Sequence, residues 1–463
     1  MPRTELSELS GQTESTGLAT VAERLRARWT GREALLLLQT FGAGDRALID
    51  ELAALGATVR AVVSAGLPTP DAPPVQQVWC CSPRRLSNPE FDAYLAEPPA
   101  DFAAWLDELD PARTLAVVGN PYTQIAELAG RPVHGRRRPR WAALEDKTVI
   151  DGFWRETGVP APDCAVLPVA APEIADHFEA LRTELGAILA MDSTRTFLGD
   201  AKGLRWVRSA GELDAALASC RGLTDRVRIA PFVRGVPCSV IGLVLERGVA
   251  VFDPLEIVTL RDPPSRRLLY CGTSTAWRPG TEAVASMRGH TRAAGTALAE
   301  RFGYRGLFSV DGIWGANGFA ATELNPRHAS GLGLRAAWPE FPLSMFQRAV
   351  QEREPCVAGL DPEAVESALR SMIRRRPSWS VRVPAPDEVQ PAEAELELPV
   401  GDGPAATQRI RYAVAPGSAR LLEARPAPPD GVLGPAAAAL ARRLGEENLV
   451  SFRGEAAEPA PAR

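Results

Sequence analysis

The sequence predicts a protein of mixed α/β and α+β class, built from roughly two to four packed units. The chain has 463 residues, more than a single domain usually holds. In its N-terminal part, apolar runs typical of buried strands alternate with helical patterns, which predicts a Rossmann-like parallel sheet. Further along, short strands and helices follow one another closely, as in a compact α+β unit.

Composition and charge limit the classes of partner. Hydrophobic residues make up 45% of the chain and charged residues 24%, as in ordinary globular proteins. The net charge of −5 gives no electrostatic reason to expect a nucleic acid or an anionic membrane as partner. No apolar stretch approaches the ~20 residues of a membrane span. The acidic N-terminus predicts no signal peptide. We therefore expect a cytoplasmic protein.

Cysteine and histidine spacing predicts no zinc site. The seven cysteines include no CxxC pair, and the four histidines show no HExxH spacing. The basic run Arg136–Arg138 is interpreted as a solvated loop, with contact to a phosphate or an acidic substrate as the alternative.

The N-terminal sheet begins with three predicted strands, Ala34–Thr40, Thr58–Ser64 and Leu115–Asn120. After the first strand, the pair Gly42-x-Gly44 is interpreted as a tight strand-to-helix turn and not as a phosphate cradle, because Ala47 stands in place of a third glycine. We expect a helix from Tyr122. A ligand is expected near Gly119–Pro121, since open α/β sheets bind ligands at their strand ends.

A lysine-bearing helix is predicted over Trp141–Thr157, where apolar residues recur at helical spacing. Lys147 lies inside this segment. The alternative to a ligand contact is a surface lysine that pairs with Glu145 or Asp151. After the strand Ala187–Met191, the polar loop Ser193–Gly203 either closes over phosphates as a flap or is a plain hairpin loop.

The most specific pattern is an acidic hairpin within Val310–Leu334. Asp311 lies on its first strand, and Glu323 and Asn325 lie two apart on the second, so they share one face. A three-residue loop, Ala316–Gly318, is expected because it would place Asp311 opposite Glu323.

The residue types of this hairpin suit a magnesium–phosphate complex. Magnesium takes oxygen ligands from one or two carboxylates and from phosphates, and the guanidinium of Arg327 complements phosphoryl oxygens. The alternative is an exposed hairpin with solvated charges. The apolar residues that flank the acids argue against this alternative.

The order of these elements resembles the ATP-grasp superfamily over roughly residues 110–350, and Glu323-Leu-Asn325-Pro-Arg327 is similar to its E-x-N-x-R signature. The resemblance implies a Rossmann-like pre-grasp domain, a two-part ATP-grasp domain and, here, a C-terminal extension. It implies ATP and Mg²⁺ as cofactors, with Mn²⁺ as an alternative metal. Asp311, Glu323 and Asn325 would then bind the metal, and Arg327 and Asn325 would act in catalysis.

The same resemblance assigns the nucleotide contacts. Lys147 would be the first lysine to contact ATP, and Ile229–Val233 would be the hinge that lines adenine, through Pro231, Phe232 and Val233. Because Pro231 has no N–H, Val233 should donate to adenine. One departure is that no lysine precedes the flap on its strand. Lys202, or Arg195, would have to replace that lysine.

The function implied is an ATP-dependent ligase that joins a carboxylate, from an amino acid or peptide, to an amine through an acyl-phosphate. The alternatives are a kinase-like phosphotransferase and a degenerate nucleotide-binding protein without activity. Arg335 is a further catalytic candidate, since it and Arg278 could hold a substrate carboxylate or phosphate. His328 is interpreted as structural, with action on the amine as the alternative. A homodimer is possible.

The expected domain boundaries are a disordered N-terminus at 1–20, the pre-grasp domain at 21–140, the lid region at 141–235, the body with the magnesium hairpin at 236–355, and a C-terminal α+β extension and tail at 356–463.

Overall fold

A computed structural model describes residues 17–192, 201–328, 333–399, 407–426, 428 and 430–452. Most of the segment expected to be disordered at the N-terminus, residues 1–16, and the tail from 453 onward lie outside this range. Residues 18–20 already belong to the first described helix, Leu18–Trp29.

The N-terminal part forms a six-stranded sheet with the order β3-β2-β1-β4-β6-β5. The strands β1 to β4, β6 and the short β5 span Glu33–Leu38, Thr58–Ser64, Gln77–Cys80, Ala116–Val118, Arg131–His134 and Glu127–Leu128. All neighbours in the order pair in parallel except β5, which is antiparallel to β6. Its helices are Leu18–Trp29, Arg46–Ala54, Asn88–Ala96 and Ala100–Leu109. The predicted Rossmann-like sheet is therefore confirmed.

The predicted helix from Tyr122 is wrong. The side chain of Asn120 accepts hydrogen bonds from the backbone N–H groups of Tyr122 (2.8 Å) and Thr123 (3.1 Å). An Asx turn of this kind replaces the start of a helix. It brings Tyr122 to the carboxyl end of β4.

The turn after β1 is a tight strand-to-helix turn, as interpreted from the sequence. Its first N–H group, that of Gly42, donates to the Asp45 side chain at 3.0 Å. A carboxylate thus occupies the position where a phosphate would have to accept.

The predicted helix Trp141–Thr157 is broken in the middle. A short helix, Pro139–Ala142, and a 3-10 turn, Ala143–Glu145, precede the helix Ile150–Thr157. In the gap, Asp146 accepts from both the N–H (2.8 Å) and the hydroxyl (2.7 Å) of Thr148. This local bonding competes with helical bonding, so Lys147 lies in a turn.

The next part forms a four-stranded sheet, which we call the lid sheet. Its order is β7-β10-β8-β9, with strands at Ala165–Pro168 (β7), Ala187–Met191 (β8), Leu204–Val207 (β9) and Arg226–Pro231 (β10). The helices Ile174–Leu181 and Ala210–Cys220 cover one face, where Phe178, Leu213 and Ile229 are buried.

The largest sheet, the body sheet, holds eleven antiparallel strands in the described ranges. Its central path is β16-β15-β11-β13-β14-β17-β20-β19-β18, with β12 against β11 and β21 against β13. The strands β11 to β16 are Gly235–Leu245, Gly248–Val251, Leu255–Asp262, Arg267–Ser274, Gly306–Gly315 and Gly318–Asn325. The strands β17 to β21 are Trp379–Pro384, Ala392–Pro399, Thr407–Ala415, Ser418–Arg425 and Val450–Ser451. The C-terminal strands therefore continue the sheet that carries the acidic hairpin.

Helices pack against both the N-terminal and the body sheets. They are Thr281–Phe302, Leu334–Ala337, Leu343–Gln351, Pro362–Arg375 and Gly434–Arg443. One apolar cluster contains Leu36 of β1, Leu307 of β15 and Phe346 of a covering helix. This shared core fixes the ends of the N-terminal strands beside the hairpin. Within the described ranges, no helix combines the length and the apolar character needed to cross a bilayer.

Candidate active site

The acidic hairpin sets the geometry of the site. The expected three-residue loop is wrong: Gly315 pairs with Gly318, so the loop is the two residues Ala316 and Asn317. Asp311 nevertheless lies opposite Glu323, because the register shifts by one residue between Asp311 and Gly312. A β-bulge thus supplies the extra residue that the loop lacks.

The polar side chains of the hairpin form a chain of hydrogen bonds. Asn325 donates through Nδ2 to Asp311 Oδ2 at 2.9 Å, and Arg327 donates through Nη2 to Asn325 Oδ1 at 2.9 Å. Glu323 is bound from another segment, since Lys147 Nζ lies 2.8 Å from its Oε1. The four residues singled out in the hairpin and Lys147 are therefore neighbours. Lys147 does not pair with Glu145 or Asp151.

Glu145 is a central acid, which the sequence interpretation named only as an alternative partner of Lys147. Its Oε1 lies 2.8 Å from both Arg327 Nε and Arg137 Nη2. The Arg327 guanidinium also lies over the Tyr122 ring, 4.9 Å from the centroid. The interpretation of the Arg136–Arg138 run as a solvated loop is wrong for Arg137, which is buried. An arginine run gives no hint of which member turns inward.

Arg327 is held as a cation. Burial opposes its charge, but attraction from Glu145 and from the other acids and Tyr122 outweighs burial and raises the pKa of Arg327. A fixed guanidinium beside two carboxylates suits the recognition of phosphoryl oxygens.

Asp311 is an acid in a crowded environment. Burial, and then repulsion from Glu323, raise its pKa to about 6, while Ser239, Ser309 and Arg327 oppose the rise. Although these hydroxyls lie close by, Asp311 Oδ1 is buried and has no hydrogen bond of good geometry within the described ranges. A buried, unsatisfied carboxylate oxygen next to a second carboxylate is a place that a cation would stabilise.

The donor set fits magnesium better than a transition metal. The described residues contain no group of three or more His, Cys, Asp or Glu side chains that could hold a metal ion. Asp311, Glu323 and Asn325 offer only hard oxygen atoms, and two of them are carboxylates. Magnesium binds to few protein ligands of this kind and completes its coordination with water and substrate phosphates.

The hairpin closes one end of a cleft of about 730 Å³, which we call the main cleft. The cleft runs between the lid sheet and the body sheet and reaches the strand ends of the N-terminal sheet. Its polar end is lined by Tyr122, Glu145, Lys147, Asp311, Glu323, Asn325 and Arg327. Its apolar lining includes Ile188, Ala190, Ile257, Leu268, Ile313 and Phe452. A ligand with a flat apolar part and a charged part would match these two ends.

The proposed hinge only partly faces this cleft. Pro231 and Val233 line it. Phe232 is buried beside it, and its ring stacks on that of Phe452 with centroids 4.9 Å apart. Phe452 follows the last described strand, and no local pattern in the sequence connects it to the hinge.

The lid sheet offers a cation that the sequence interpretation missed. Arg228 on β10 lines the main cleft and pairs in register with Ala190 of β8. It donates from Nε and Nη2 to the two oxygens of Asp151, at 2.7 and 2.6 Å.

Other residues named from the sequence lie elsewhere. Arg195 and the flap residues 193–200 are outside the described ranges. Lys202 is exposed, while its neighbours Ala201 and Gly203 line the main cleft. Arg335 donates to Ser344 at 2.6 Å and lies 3.5 Å from Glu51, away from the cleft lining.

His328 directly follows Arg327 in the chain and is held in its neutral form. Burial, and then repulsion from Arg348, Arg335 and Arg327, lower its pKa to about 3. Its Nδ1 has no hydrogen-bond partner among the described residues. Arg278 lines a different, smaller cavity.

Comparison with known proteins relates the chain to others through its fold. No protein-family model matches the sequence, and no curated protein matches it. Among solved structures, the biotin carboxylase domain of Hydrogenobacter thermophilus 2-oxoglutarate carboxylase, in complex with MgADP, ADP and bicarbonate, aligns with a TM-score of 0.56 at 14% identity, over 84% of this chain and 85% of that one. Carboxyaminoimidazole ribonucleotide synthase from Aspergillus clavatus, in complex with ATP, aligns with a TM-score of 0.53 at 14% identity, over 91% of this chain and 100% of that one.

Proposed function

Because the chain has the ATP-grasp fold, we propose that it is an ATP-dependent ligase that joins a carboxylate to an amine. The observation that carries the proposal is the convergence of Asp311, Glu323, Asn325 and Arg327 at the polar end of a cleft with an apolar far wall. This arrangement accommodates a nucleotide with its base among apolar side chains and its phosphates at the hairpin.

The nucleotide would lie along the main cleft. Its base would fit beside Pro231 and Val233, where the cleft lining is apolar. Its phosphates would reach Lys147 and, from the lid sheet, Arg228. Asp311, Glu323 and Asn325 would hold Mg²⁺, which supplies neutralisation of phosphate charge.

The chain's own residues then act by positioning and by charge. The cation of Arg327 is fixed by Glu145 and Tyr122. Its side chain therefore stabilises the phosphoryl group during transfer without having to rearrange. A substrate carboxylate oxygen would attack the γ-phosphorus and release ADP, which gives an acyl-phosphate. The amine nitrogen would attack the acyl carbon, release phosphate and lose a proton. ATP supplies the activation, so this route needs no nucleophilic side chain.

The substrates that we propose are an amino acid or peptide as the acid and an amine as the acceptor. The biotin carboxylase structure described above widens the choice of acid, because it contains bicarbonate. Bicarbonate is therefore a second acid worth testing with the same amines.

The test is a measurement of ADP and free phosphate with ATP, Mg²⁺, pools of amino acids or bicarbonate, and pools of amines. A ligase releases both products only when an acid and an amine are present together. ADP without phosphate would indicate a kinase and contradict the ligase. The test variant is Glu323→Gln in the hairpin, and its matched control is Glu108→Gln, at an exposed acid on the helix Ala100–Leu109.

One observation favours a nucleotide-binding protein without activity as the second candidate. Strand β8 lines the cleft with Ala190 and Met191, and it lacks the lysine that is expected on the strand before the flap. Tight binding of ATP with no turnover on any substrate pair would support this candidate against the ligase.

A further inference from the structure

A second cavity, of about 270 Å³, lies behind the main cleft. Ile241 and Leu255 line both spaces, so they form a shared wall. The other apolar residues that line the second cavity are Phe252, Pro254, Trp277, Pro279, Val284 and Ile373. Its charged lining consists of Asp253 and three arginines, Arg278, Arg370 and Arg374. A small cavity with an apolar wall and several cations has the composition of a ligand site.

The acids around the second cavity do not balance its arginines. Asp253 accepts from Arg370 Nε at 2.9 Å and from Arg374 through Nη2 at 3.1 Å and through Nε. Glu366, the other nearby acid, binds Arg288 and Arg292 and is 3.9 Å from Arg370. Asp253 and Glu366 thus pair with four arginines, Arg288, Arg292, Arg370 and Arg374. Arg278 adds a fifth cation, and its backbone N–H donates to the backbone oxygen of a third acid, Asp430, at 2.8 Å.

Arg278 is the arginine of this group without a carboxylate in ion-pair contact among the described residues. Its Nη1 donates to the backbone oxygens of Thr275 (2.7 Å) and Trp277 (2.9 Å). Its Nε and Nη2 have no partner within the described part of the chain. Burial lowers the pKa of Arg278, attraction to Asp253 opposes this, and repulsion from Arg374 adds to it. Arg278 is exposed at the edge of the cavity, and an incoming anion would add a charge-assisted hydrogen bond to its free N–H groups.

We propose that the second cavity binds a small organic anion that has one anionic head and an apolar body. The head, a carboxylate or a phosphate monoester, would accept from the free N–H groups of Arg278 and from Arg374 at the rim. The body would pack against Trp277 and Val284. An inorganic ion would use only the rim, whereas an uncharged ligand would leave Arg278 without an anionic partner. The apolar floor and the cationic rim together select a molecule with both parts.

This site is separate from the proposed catalytic constellation, so its test does not require turnover. Calorimetric titration of the full chain with 3-phenylpropionate and with phenyl phosphate should give saturable binding with a Kd below about 1 mM for at least one of them. The probe that binds with the lower Kd identifies the preferred head group as a carboxylate or a phosphate monoester. Inorganic phosphate and 3-phenylpropanol should each bind about tenfold more weakly, because each lacks one of the two parts.

Two variants test the location of the site. Arg278→Met removes the unpaired cation and should weaken binding of the organic anion by about tenfold or more, whereas Arg24→Met, at an exposed arginine that does not line the cavity, should not. Val284→Phe fills the cavity, leaves every charge in place and should abolish binding. Thermal melting of each variant checks its fold.

The proposal fails if neither organic anion binds saturably, or if both bind no better than inorganic phosphate. It also fails if Val284→Phe binds as the unmodified chain does, because the anion would then lie on exposed arginines outside the cavity. Unchanged binding by a folded Arg278→Met variant would overturn the assigned head-group contact.

Discussion

Lys147 Nζ lies 2.8 Å from Glu323 Oε1, and this ion pair joins the turn before the lid sheet to the acidic strand of the hairpin. The lysine proposed to bind phosphate therefore neutralises a carboxylate proposed to bind magnesium. A magnesium–phosphate complex carries a positive charge that could face Glu323 and negative charges that could face Lys147. Its binding would exchange one internal ion pair for two contacts with the ligand.

Replacing Lys147 by Met should therefore affect the nucleotide more than the fold. The pair is partly solvated, with side-chain exposures of 20% and 28%, so its loss should cost no more than about 1 kcal/mol of stability. The KM for ATP should rise by about tenfold, as expected for a lost charged hydrogen bond. Thermal melting without Mg-ATP measures the change in stability, and the shift of the melting temperature by Mg-ATP measures the change in nucleotide binding. An unchanged shift of the melting temperature by Mg-ATP would contradict a role for Lys147 in phosphate binding.

Replacing Glu323 by Gln should lower turnover on the order of 100-fold while the fold remains intact. Gln keeps the shape of the side chain but removes the charge opposite Asp311. The assay is ADP release at saturating ATP, with Glu108→Gln as the matched control. Normal turnover in the Glu323 variant would exclude the metal assignment.

Replacing Glu145 by Gln should destabilise the protein as well as impair it. Glu145 is 12% exposed and balances the buried Arg137 and the partly buried Arg327, so its loss leaves both cations without this carboxylate, at a cost of about 3 kcal/mol. Urea denaturation measures this cost. The control is Glu33→Gln, which breaks an exposed pair with Arg60 and should cost less than about 1 kcal/mol. Equal costs for the two variants would show that Glu145 has no special structural role.

Stability should depend on pH through Glu256, which is not among the residues that line the main cleft. Burial raises its pKa to about 7, although the backbone N–H groups of Leu433 and Gly434 donate to its oxygens at 2.6 and 2.8 Å. Between the unfolded and folded pKa values, the folded state holds a proton that the unfolded state releases. The stabilisation is therefore present at low pH and is lost as pH rises through about 7.

The measurement is the free energy of unfolding at several pH values between about 5 and 8, for the unmodified chain and for Glu256→Gln. Relative to the variant, the unmodified chain should lose about 1.4 kcal/mol per pH unit until the folded pKa is reached. Parallel pH profiles for the two proteins would mean that Glu256 titrates normally.

Local patterns in the sequence predicted several elements closely. The inward spacing of Ala294 and Leu298 predicts a helix over Thr281–Phe302, and the observed helix has these bounds, with Gly303 at a left-handed φ of +59°. The strands β2 and β8 were also predicted with their bounds. Their apolar periodicity and flanking turn residues are short-range signals that packing did not override.

The sequence interpretation did not predict the pairing of strands that lie far apart in the chain. The strands β17 and β20 were not predicted, and nothing local reveals that they continue the body sheet beyond β14. The bulge in the hairpin was also missed, because its register depends on the buried faces of two strands together.

By itself, the sequence determined that Glu323 and Asn325 share one face of a hairpin strand, since a strand's period of two places alternate residues on one face. It also placed Asp311 on the preceding strand and Arg327 just past the strand end. Only the tertiary structure decided that Lys147, Glu145 and Tyr122 surround this hairpin. Each of them lies more than 150 residues away in the chain. Their contacts depend on how the N-terminal sheet and the body sheet pack, and a shared apolar core, not a local pattern, sets that packing.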